Sequence, residues 1–203
     1  MKKQPAYLKF TNETETHHGF TFKTGLNTDT NPFDPDPEHE CGPYGLYFTD
    51  VTHGMYWLDD DRAYVREVTL PENEPVVNLD DKYRAHRIIL GPRHDLSKVA
   101  VWKWMVSHGA DVSAADNWAV RGASMYGHLD VVKYLVSKGA DVIADDNAAV
   151  CLASECGHLD VVKFLVSKGA DVTTRKNYAI RKASGNGHLD IVKYLKSKGA
   201  VLT

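Results

Sequence analysis

The chain has 203 residues, of which 43% are hydrophobic and 25% are charged, and its formal net charge is −3. No apolar run approaches the roughly 20 residues that a membrane-spanning helix needs, and the basic residues are too dispersed to form a nucleic-acid-binding patch. The basic N-terminus also lacks the apolar stretch of a secretory signal. We therefore expect a monomeric intracellular, cytoplasmic protein that binds neither membrane nor nucleic acid.

Charge and repetition both change near residue 95. Residues 1–94 carry 10 Lys and Arg against 16 Asp and Glu, a charge of −6, whereas residues 95–203 carry 14 against 11, a charge of +3. Only the second part contains an internal repeat. These differences predict two domains, 1–94 and 95–203.

The sequence of residues 1–94 predicts mostly β-strands. Short runs rich in aromatic and β-branched residues, bounded by Gly or Pro, predict strands over 20–22, 45–49, 64–70 and 85–90. The prediction is a small, strand-rich α+β domain. His39, Cys41 and His53 lack a fourth ligand of similar character, so we predict no metal site here.

Four short motifs within residues 1–94 occur in a suggestive order. They are His18-Gly19, Gly25-Leu26, the segment Gly42-Pro43-Tyr44-Gly45-Leu46-Tyr47-Phe48-Thr49-Asp50, and Arg66-Glu67-Val68-Thr69-Leu70-Pro71. Together they resemble the ADP-ribosyltransferase core of the poly-ADP-ribose polymerase class. The resemblance implies that His18 binds the nicotinamide ribose and that Tyr47 stacks on the nicotinamide.

The glutamate that orients the acceptor in that family has no counterpart on the closing strand. This strand offers Ala85 and His86, and Glu67 lies on an earlier strand. Without a carboxylate beside the ribose hydroxyl, oxocarbenium-like transfer loses its electrostatic support and its general base. We assign no catalytic activity and no cofactor. The alternative is a recognition or capping domain whose aromatic residues are core.

The second part of the chain repeats every 30 residues. The units are 117–146, 147–176 and 177–203, and the string Gly127-His128-Leu129-Asp130-Val131-Val132-Lys133-Tyr134-Leu135 recurs with small changes at 157–165 and 187–195. The sequence of each unit predicts two helices. In unit 117–146 the second helix has an apolar stripe at Leu129, Val132, Leu135 and Val136 and ends at Gly139. Such units must stack on their neighbours to bury their apolar faces.

The string over residues 127–141 resembles the second helix and turn of the ankyrin repeat. The resemblance implies an α-solenoid, a stack of helix-turn-helix units, in which His128, His158 and His188 tie neighbouring loops by hydrogen bonds. The units are shorter than the family norm, and Ala148-Ala149-Val150-Cys151 stands in place of the family's Thr-Pro-Leu-His box. Shortened repeats of this kind resemble ankyrin proteins of giant DNA viruses.

The repeat also predicts how the array begins and ends. Residues 95–116 contain a fourth copy of the second helix, but Gly91-Pro92 stands where its first helix would be, which predicts a half unit. At the other end Lys196 replaces the apolar residue of the earlier units. We expect this polar residue to close the stack after the third full unit.

Positions that vary between units are candidates for partner binding. They lie on the turn tips and the first helices, and aromatic residues and Arg are the side chains that interfaces favour. We define the first-helix surface as Trp118, Arg121, Tyr126, Arg175, Tyr178, Arg181 and Lys182. The alternative is that Trp118 and Tyr178 pack between units as core.

Three functions are consistent with these observations. The first is a protein–protein interaction scaffold that binds a host or viral protein through the first-helix surface. The second is an ADP-ribosyltransferase-like N-terminal domain, active or inactive, that the ankyrin array targets. The third is an adaptor of the ubiquitin-ligase type.

Overall fold

The computed structural model describes residues 6–17, 19–39, 45–58 and 63–202. The chain divides into two compact units, Met1–Asp111 and Val112–Thr203. The first is strand-rich and the second contains only helices among its described elements, as the sequence predicts.

The first unit is built on one antiparallel sheet. Its described strands are β1 (Tyr7–Thr11), β2 (Thr16–His17), β3 (Phe20–Thr21), β4 (Gly25–Thr28), β5 (Leu46–Asp50), β6 (Tyr64–Thr69), β7 (Val76–Asn78), β8 (Tyr83–Ala85), β9 (Arg87–Leu90) and β10 (His94–Asp95). The strand order is β4-β9-β6-β1-β5-β8-β7, with β10 also paired to β6, while β2 and β3 form a separate hairpin. A short 3₁₀ helix, Gly54–Trp57, follows β5.

Strand β1 lies at the centre of the sheet, between β5 and β6. It was not predicted, because Lys9 interrupts its apolar pattern. In the structure Lys9 is only 6% exposed: its Nζ donates to the Tyr47 carbonyl at 2.8 Å and lies 4.6 Å from the centre of the Phe22 ring. The long aliphatic stem lets a charged residue occupy a buried strand.

The predicted strand over 85–90 is wrong in one respect, because it is divided. Residues up to Ala85 belong to β8, those from Arg87 belong to β9, and His86 lies between them and accepts a hydrogen bond from Asp29 through its carbonyl. The two strands pair with different partners, β5 and β4. A hydrophobic core of this unit is formed by Phe22, Leu46, Phe48, Val68, Ala85, Ile88 and Leu90.

The helices follow the 30-residue period. They are α1 (Val99–Ser107), α2 (Ala114–Met125), α3 (Leu129–Ser137), α4 (Ala144–Glu155), α5 (Leu159–Ser167), α6 (Thr174–Gly185) and α7 (Leu189–Ser197). First helices α2, α4 and α6 stack on one another, each pairs with its second helix, and α3, α5 and α7 stack in turn. This is the predicted helix-turn-helix stack.

Helix α1 has the nine-residue length of the second helices. It follows β10, and the Leu96 amide donates to the Ala63 carbonyl at 3.0 Å, so the residues before α1 are held by the sheet. By its contacts α1 falls in the first unit. The helix therefore has the sequence of a repeat and the surroundings of the strand-rich unit.

Stacking is driven by aliphatic residues at the same positions of every unit. Val131, Val132 and Leu135 of α3 are at most 1% exposed, and their counterparts in α5 and α7 are also buried. Burying each of these side chains stabilises the fold by about 1.5–3 kcal/mol. The array therefore rests on one apolar seam that continues through its units.

Candidate protein-binding surface

Each first helix contains, near its start, a turn of three consecutive left-handed residues. Their φ angles lie between 48° and 64° at 115–117, 145–147 and 175–177. Few residues other than Gly accept this conformation, and Asn is among them. The third residue of each turn is Asn, and its Oδ1 accepts a backbone N–H 24 residues later, at 2.7–2.9 Å. This brace was not predicted, although an Asn that recurs every 30 residues was its signal.

The carboxylate of Asp145, in the left-handed turn of α4, lies between two arginines of the first-helix surface. Arg121 Nη2 lies 2.8 Å from Asp145 Oδ2, and Arg175 Nη2 lies 2.8 Å from Asp145 Oδ1. Arg175 Nε is a further 3.8 Å from the Asp146 carboxylate. Both arginines are therefore neutralised within the array, and with Asp145 they link the first helices α2, α4 and α6.

Two units carry the same pair of an aromatic residue and an arginine. The Arg121 guanidinium lies 4.9 Å from the centre of the Trp118 ring, and the Arg181 guanidinium lies 5.8 Å from that of Tyr178. The middle unit has Ala148 and a buried cysteine at these positions. The first-helix surface therefore has two aromatic sites separated by a smaller one.

Glu155 holds two further members of the first-helix surface. Its Oε1 accepts from Lys182 Nζ at 2.7 Å and its Oε2 accepts from the Tyr178 hydroxyl at 3.3 Å. The hydrogen bond to Glu155, helped by Tyr178, raises the pKa of Lys182 above its usual value. Lys182 is thus a cation paired with the preceding unit.

Tyr126 is the most exposed aromatic residue of the first-helix surface, at 47%. Its ring stacks on the His128 imidazole with 6.0 Å between ring centres. Trp118 and Tyr178 are half-buried, so each both packs within the array and presents part of its ring to solvent.

His158 and His188 lie against the preceding units. A methyl group placed on Gly127 would come within 2.5 Å of the His158 ring, and one on Gly157 within 2.7 Å of the His188 ring. His188 Nε2 also lies 3.0 Å from the Glu155 carbonyl, as the loop-tying role predicts. Gly187 has no atom of another segment within 4 Å of the same position.

In the first unit, Tyr47 lines a small open-sided cavity of about 110 Å³. Its walls are formed by Lys9, His17, Gly19, Phe20, Phe22, Asp29, Thr30, Asn31, Gly45, Leu46 and Tyr47. Tyr47 lies on β5, and the Lys82 ammonium is 5.6 Å from the centre of its ring. His18, the other residue named from the transferase resemblance, lies outside the described residues.

In the part of the chain that the structure describes, no helix is long and apolar enough to cross a membrane. No group of three or more His, Cys, Asp or Glu side chains that could hold a metal ion occurs in that part of the chain. His39 pairs with Asp34 at 2.7 Å and His53 with Asp50 at 3.0 Å, while Cys41 lies outside the described residues.

Similar proteins come from a giant virus of amoebae. The chain is 39% identical over 131 residues to the putative ankyrin repeat protein R868 of Acanthamoeba polyphaga mimivirus, a match that covers 62% of the chain and 64% of R868. It is 36% identical over 133 residues to the uncharacterized protein R869 of the same virus, covering 62% of the chain and 94% of R869. A third relative, the putative ankyrin repeat protein R896, is 39% identical over 130 residues, which are 62% of the chain but only 39% of R896.

The family model for ankyrin repeats in three copies matches residues 95–176 and 118–203. These matches cover more than half of the chain. Ankyrin repeats are a protein–protein interaction module, and ankyrin repeat proteins of mimivirus are among the relatives, as the sequence predicts. The chain belongs to the ankyrin-repeat family.

Proposed function

We propose that this protein is an interaction scaffold that binds a host or viral protein through the first-helix surface, as a monomer in the cytoplasm of the infected cell. Partner binding is proposed for Trp118, Arg121, Tyr126, Arg175, Tyr178, Arg181 and Lys182. The second helices serve as the stacking support.

The observation that carries this proposal is the pair of aromatic–arginine sites. Trp118 with Arg121 and Tyr178 with Arg181 occupy equivalent positions two units apart, each with part of the ring exposed. Side chains that only stabilised the stack would be expected in every unit, yet the middle unit has Ala148 there. Trp, Tyr and Arg are also the residues that contribute most to interface energies.

Affinity capture from Acanthamoeba polyphaga lysate tests this proposal. The full chain would be immobilised beside the double variant Trp118→Ala/Arg181→Ala and the control Lys163→Ala/Lys193→Ala, which changes exposed second-helix residues. We expect the first variant to weaken binding of the captured partner at least about tenfold, because hot-spot residues each contribute more than about 1 kcal/mol.

Because Trp118 is half-buried, each variant must first show the circular dichroism and thermal midpoint of a folded array. The exposed Tyr126→Ala change provides a second test that is less sensitive to folding. If folded Trp118→Ala/Arg181→Ala retained every partner at unchanged affinity, the proposed surface would be wrong.

An adaptor of the ubiquitin-ligase type is a narrower form of the same function. It would bind one protein through the first-helix surface and a ligase subunit elsewhere. Its signature in the same experiment is co-purification of ligase subunits that persists when Trp118 and Arg181 are changed.

The cavity beside Tyr47 favours a second candidate, an ADP-ribosyltransferase-like first unit. The cavity combines aromatic walls with Lys9 and His17, and His18 is adjacent in sequence. Incubation with labelled NAD and host lysate should then label proteins in a manner that depends on His18 and Tyr47. Labelling that was absent, or unchanged in Tyr47→Ala, would eliminate this activity.

A further inference from the structure

We infer that helix α6 binds an acidic segment of the protein partner through Arg181 and Lys176. The inference rests on the proposed binding role of the first-helix surface and adds the chemistry of what this surface binds.

Arg121 shows how an arginine at this position binds a carboxylate. Its Nη1 donates to the Asp116 carbonyl of its own tip at 3.5 Å, its guanidinium lies near the Trp118 ring, and its Nη2 pairs with Asp145 at 2.8 Å. Arg121 is thus oriented by the Asp116 carbonyl and the Trp118 ring. Its remaining N–H groups bind the carboxylate that α4 supplies.

Arg181, two units later, is oriented in the same way. Its Nε donates to the Lys176 carbonyl at 3.1 Å, its Nη2 donates to the Arg175 carbonyl at 3.4 Å, and the Tyr178 ring lies near its guanidinium. Among residues 112–202 no carboxylate pairs with it.

The neighbouring cations differ in whether they are neutralised. Arg175 pairs with Asp145, and Lys182 pairs with Glu155. Lys176 is exposed, and no described residue forms an ion pair or hydrogen bond with its ammonium group. Arg181 and Lys176 thus form a pair of positive charges on α6 that no described carboxylate neutralises.

Carboxylates suit this pair for two physical reasons. The planar guanidinium presents N–H groups in the geometry of a carboxylate, and its prior orientation by two carbonyls reduces the side-chain entropy lost on binding. Both cations are exposed, so their attraction for an anionic segment should be modest and should weaken as salt screens it.

The test uses the full chain and a labelled 12-residue peptide of Glu and Gly, with a peptide of Gln and Gly as its neutral match. Binding would be followed by fluorescence anisotropy at low and at physiological salt. We expect Arg181→Gln and Lys176→Gln each to weaken binding of the Glu peptide about fivefold. Lys193→Gln removes the same charge from α7 of the same unit and should change it less than about twofold.

Charge reversal adds a positive result. Arg181→Glu should abolish measurable binding of the Glu peptide and should increase binding of a matched Lys peptide. All of these positions are exposed, so the thermal midpoint of each variant should remain near that of the parent chain.

Equal binding of the Glu and Gln peptides, or equal losses in Arg181→Gln and Lys193→Gln, would overturn the inference. That failure is distinguishable from failure of the proposed function. If Trp118→Ala still releases a captured partner while the peptide ignores Arg181, the surface binds protein through other chemistry. If no partner depends on Trp118 or Arg181, the proposed function itself is wrong.

Discussion

The array uses a small set of contacts once per unit, whereas the strand-rich first unit uses each of its buried polar contacts once. In the array the Asn brace occurs in all three full units, and a histidine lies over the glycine of the preceding unit twice. In the first unit, by contrast, buried Arg66 pairs with Glu15 across 51 positions of sequence, and no second copy of this pair exists among the described residues.

This difference separates positions that maintain the array from positions that are available for binding. A contact that recurs in each unit stabilises the stack, so residues that break the period, such as Trp118, are free to differ for another purpose. The first unit contains no repeat against which its residues can be compared. There only geometry identifies which polar residues stabilise the fold.

The largest expected effect is in the first unit. Arg66→Ala should lower its free energy of unfolding by about 3 kcal/mol, because it leaves the buried Glu15 carboxylate only its longer, 3.6 Å pair with Arg93 and also removes bonds to Thr24 and Gly91. In a Trp118→Phe background the remaining tryptophans all lie in this unit, so urea titration of their fluorescence measures the change.

Lys98→Ala is the control for Arg66→Ala, because its pair with Asp95 is exposed and should contribute less than about 1 kcal/mol. If both variants had the same small effect, the first unit would not depend on its buried ion pair.

The repeated His–Gly contact has a matched control within the chain. Gly127→Ala and Gly187→Ala both place a side chain at positive φ, 72° and 79°, which costs about 1 kcal/mol. Only at Gly127 would the new methyl group approach an imidazole, that of His158. We expect Gly127→Ala to be about 1–2 kcal/mol more destabilising in thermal unfolding followed by circular dichroism. Equal shifts for the two variants would mean that the histidine does not constrain the glycine.

Acid sensitivity should also differ between the two units. Burial alone would raise the pKa of Asp50, but hydrogen bonds from Thr52, His53 and Tyr83 lower it to about 2. Because the folded-state pKa lies below the unfolded one, Asp50 stabilises the first unit above about pH 4, and this contribution disappears as pH falls toward 2. Asp50→Asn should therefore cost about 2 kcal/mol at pH 7 in urea titration and much less at pH 2.5.

Asp171→Asn is the matched change in the array. Hydrogen bonds from the Thr173 amide and hydroxyl lower the pKa of Asp171, but this carboxylate is exposed. We expect little change in stability at either pH. A cost for Asp50→Asn that did not vary with pH would show that the carboxylate charge is not what stabilises this site.

The smallest effect is expected for the tip network of the array. Asp145 is 38% exposed, so Asp145→Asn should cost less than about 1 kcal/mol, and the cost should fall further as salt is raised to 1 M. Asp130→Asn, whose pair with Lys133 is longer and almost fully exposed, is the control and should be neutral. A large, salt-independent loss of stability in Asp145→Asn would mean that Arg121 and Arg175 hold the stacked units together, rather than being surface residues available to a partner.

The predicted apolar stripe was right for Val132 and Leu135, whereas Leu129 and Val136 are only half-buried and Val131 is buried instead. Most of the rest of the array could be predicted because its period fixes the helix positions and the glycine that ends each second helix. The ion pairs of Asp145 and Glu155 could not, since they join residues that vary between units and depend on how the turns project. The sequence therefore named Arg121, Arg175 and Lys182 as surface residues, but the carboxylates that hold them were missed.

The sheet was harder to predict because its central strand lacks alternation. Strand β1 contains Lys9, whose burial depends on the Tyr47 carbonyl and the Phe22 ring, both distant in sequence. Strands β5 and β6 were found because their apolar and β-branched runs are bounded by turn residues. Local sequence patterns thus predict strands that follow those patterns. They miss a strand such as β1, whose burial depends on residues distant in sequence.

Hydroxyl-radical footprinting of the array with and without a captured partner would show directly which aromatic side chains the partner covers. Aromatic side chains react readily and occur in matched sets: Trp118, Tyr126 and Tyr178 belong to the first-helix surface, whereas Tyr134, Phe164 and Tyr194 lie on the second helices. We expect the partner to reduce oxidation at least about threefold in the first set, since interfaces exclude water from their aromatic anchors, and to leave the second set unchanged. Protection confined to Tyr134, Phe164 and Tyr194 would contradict the account.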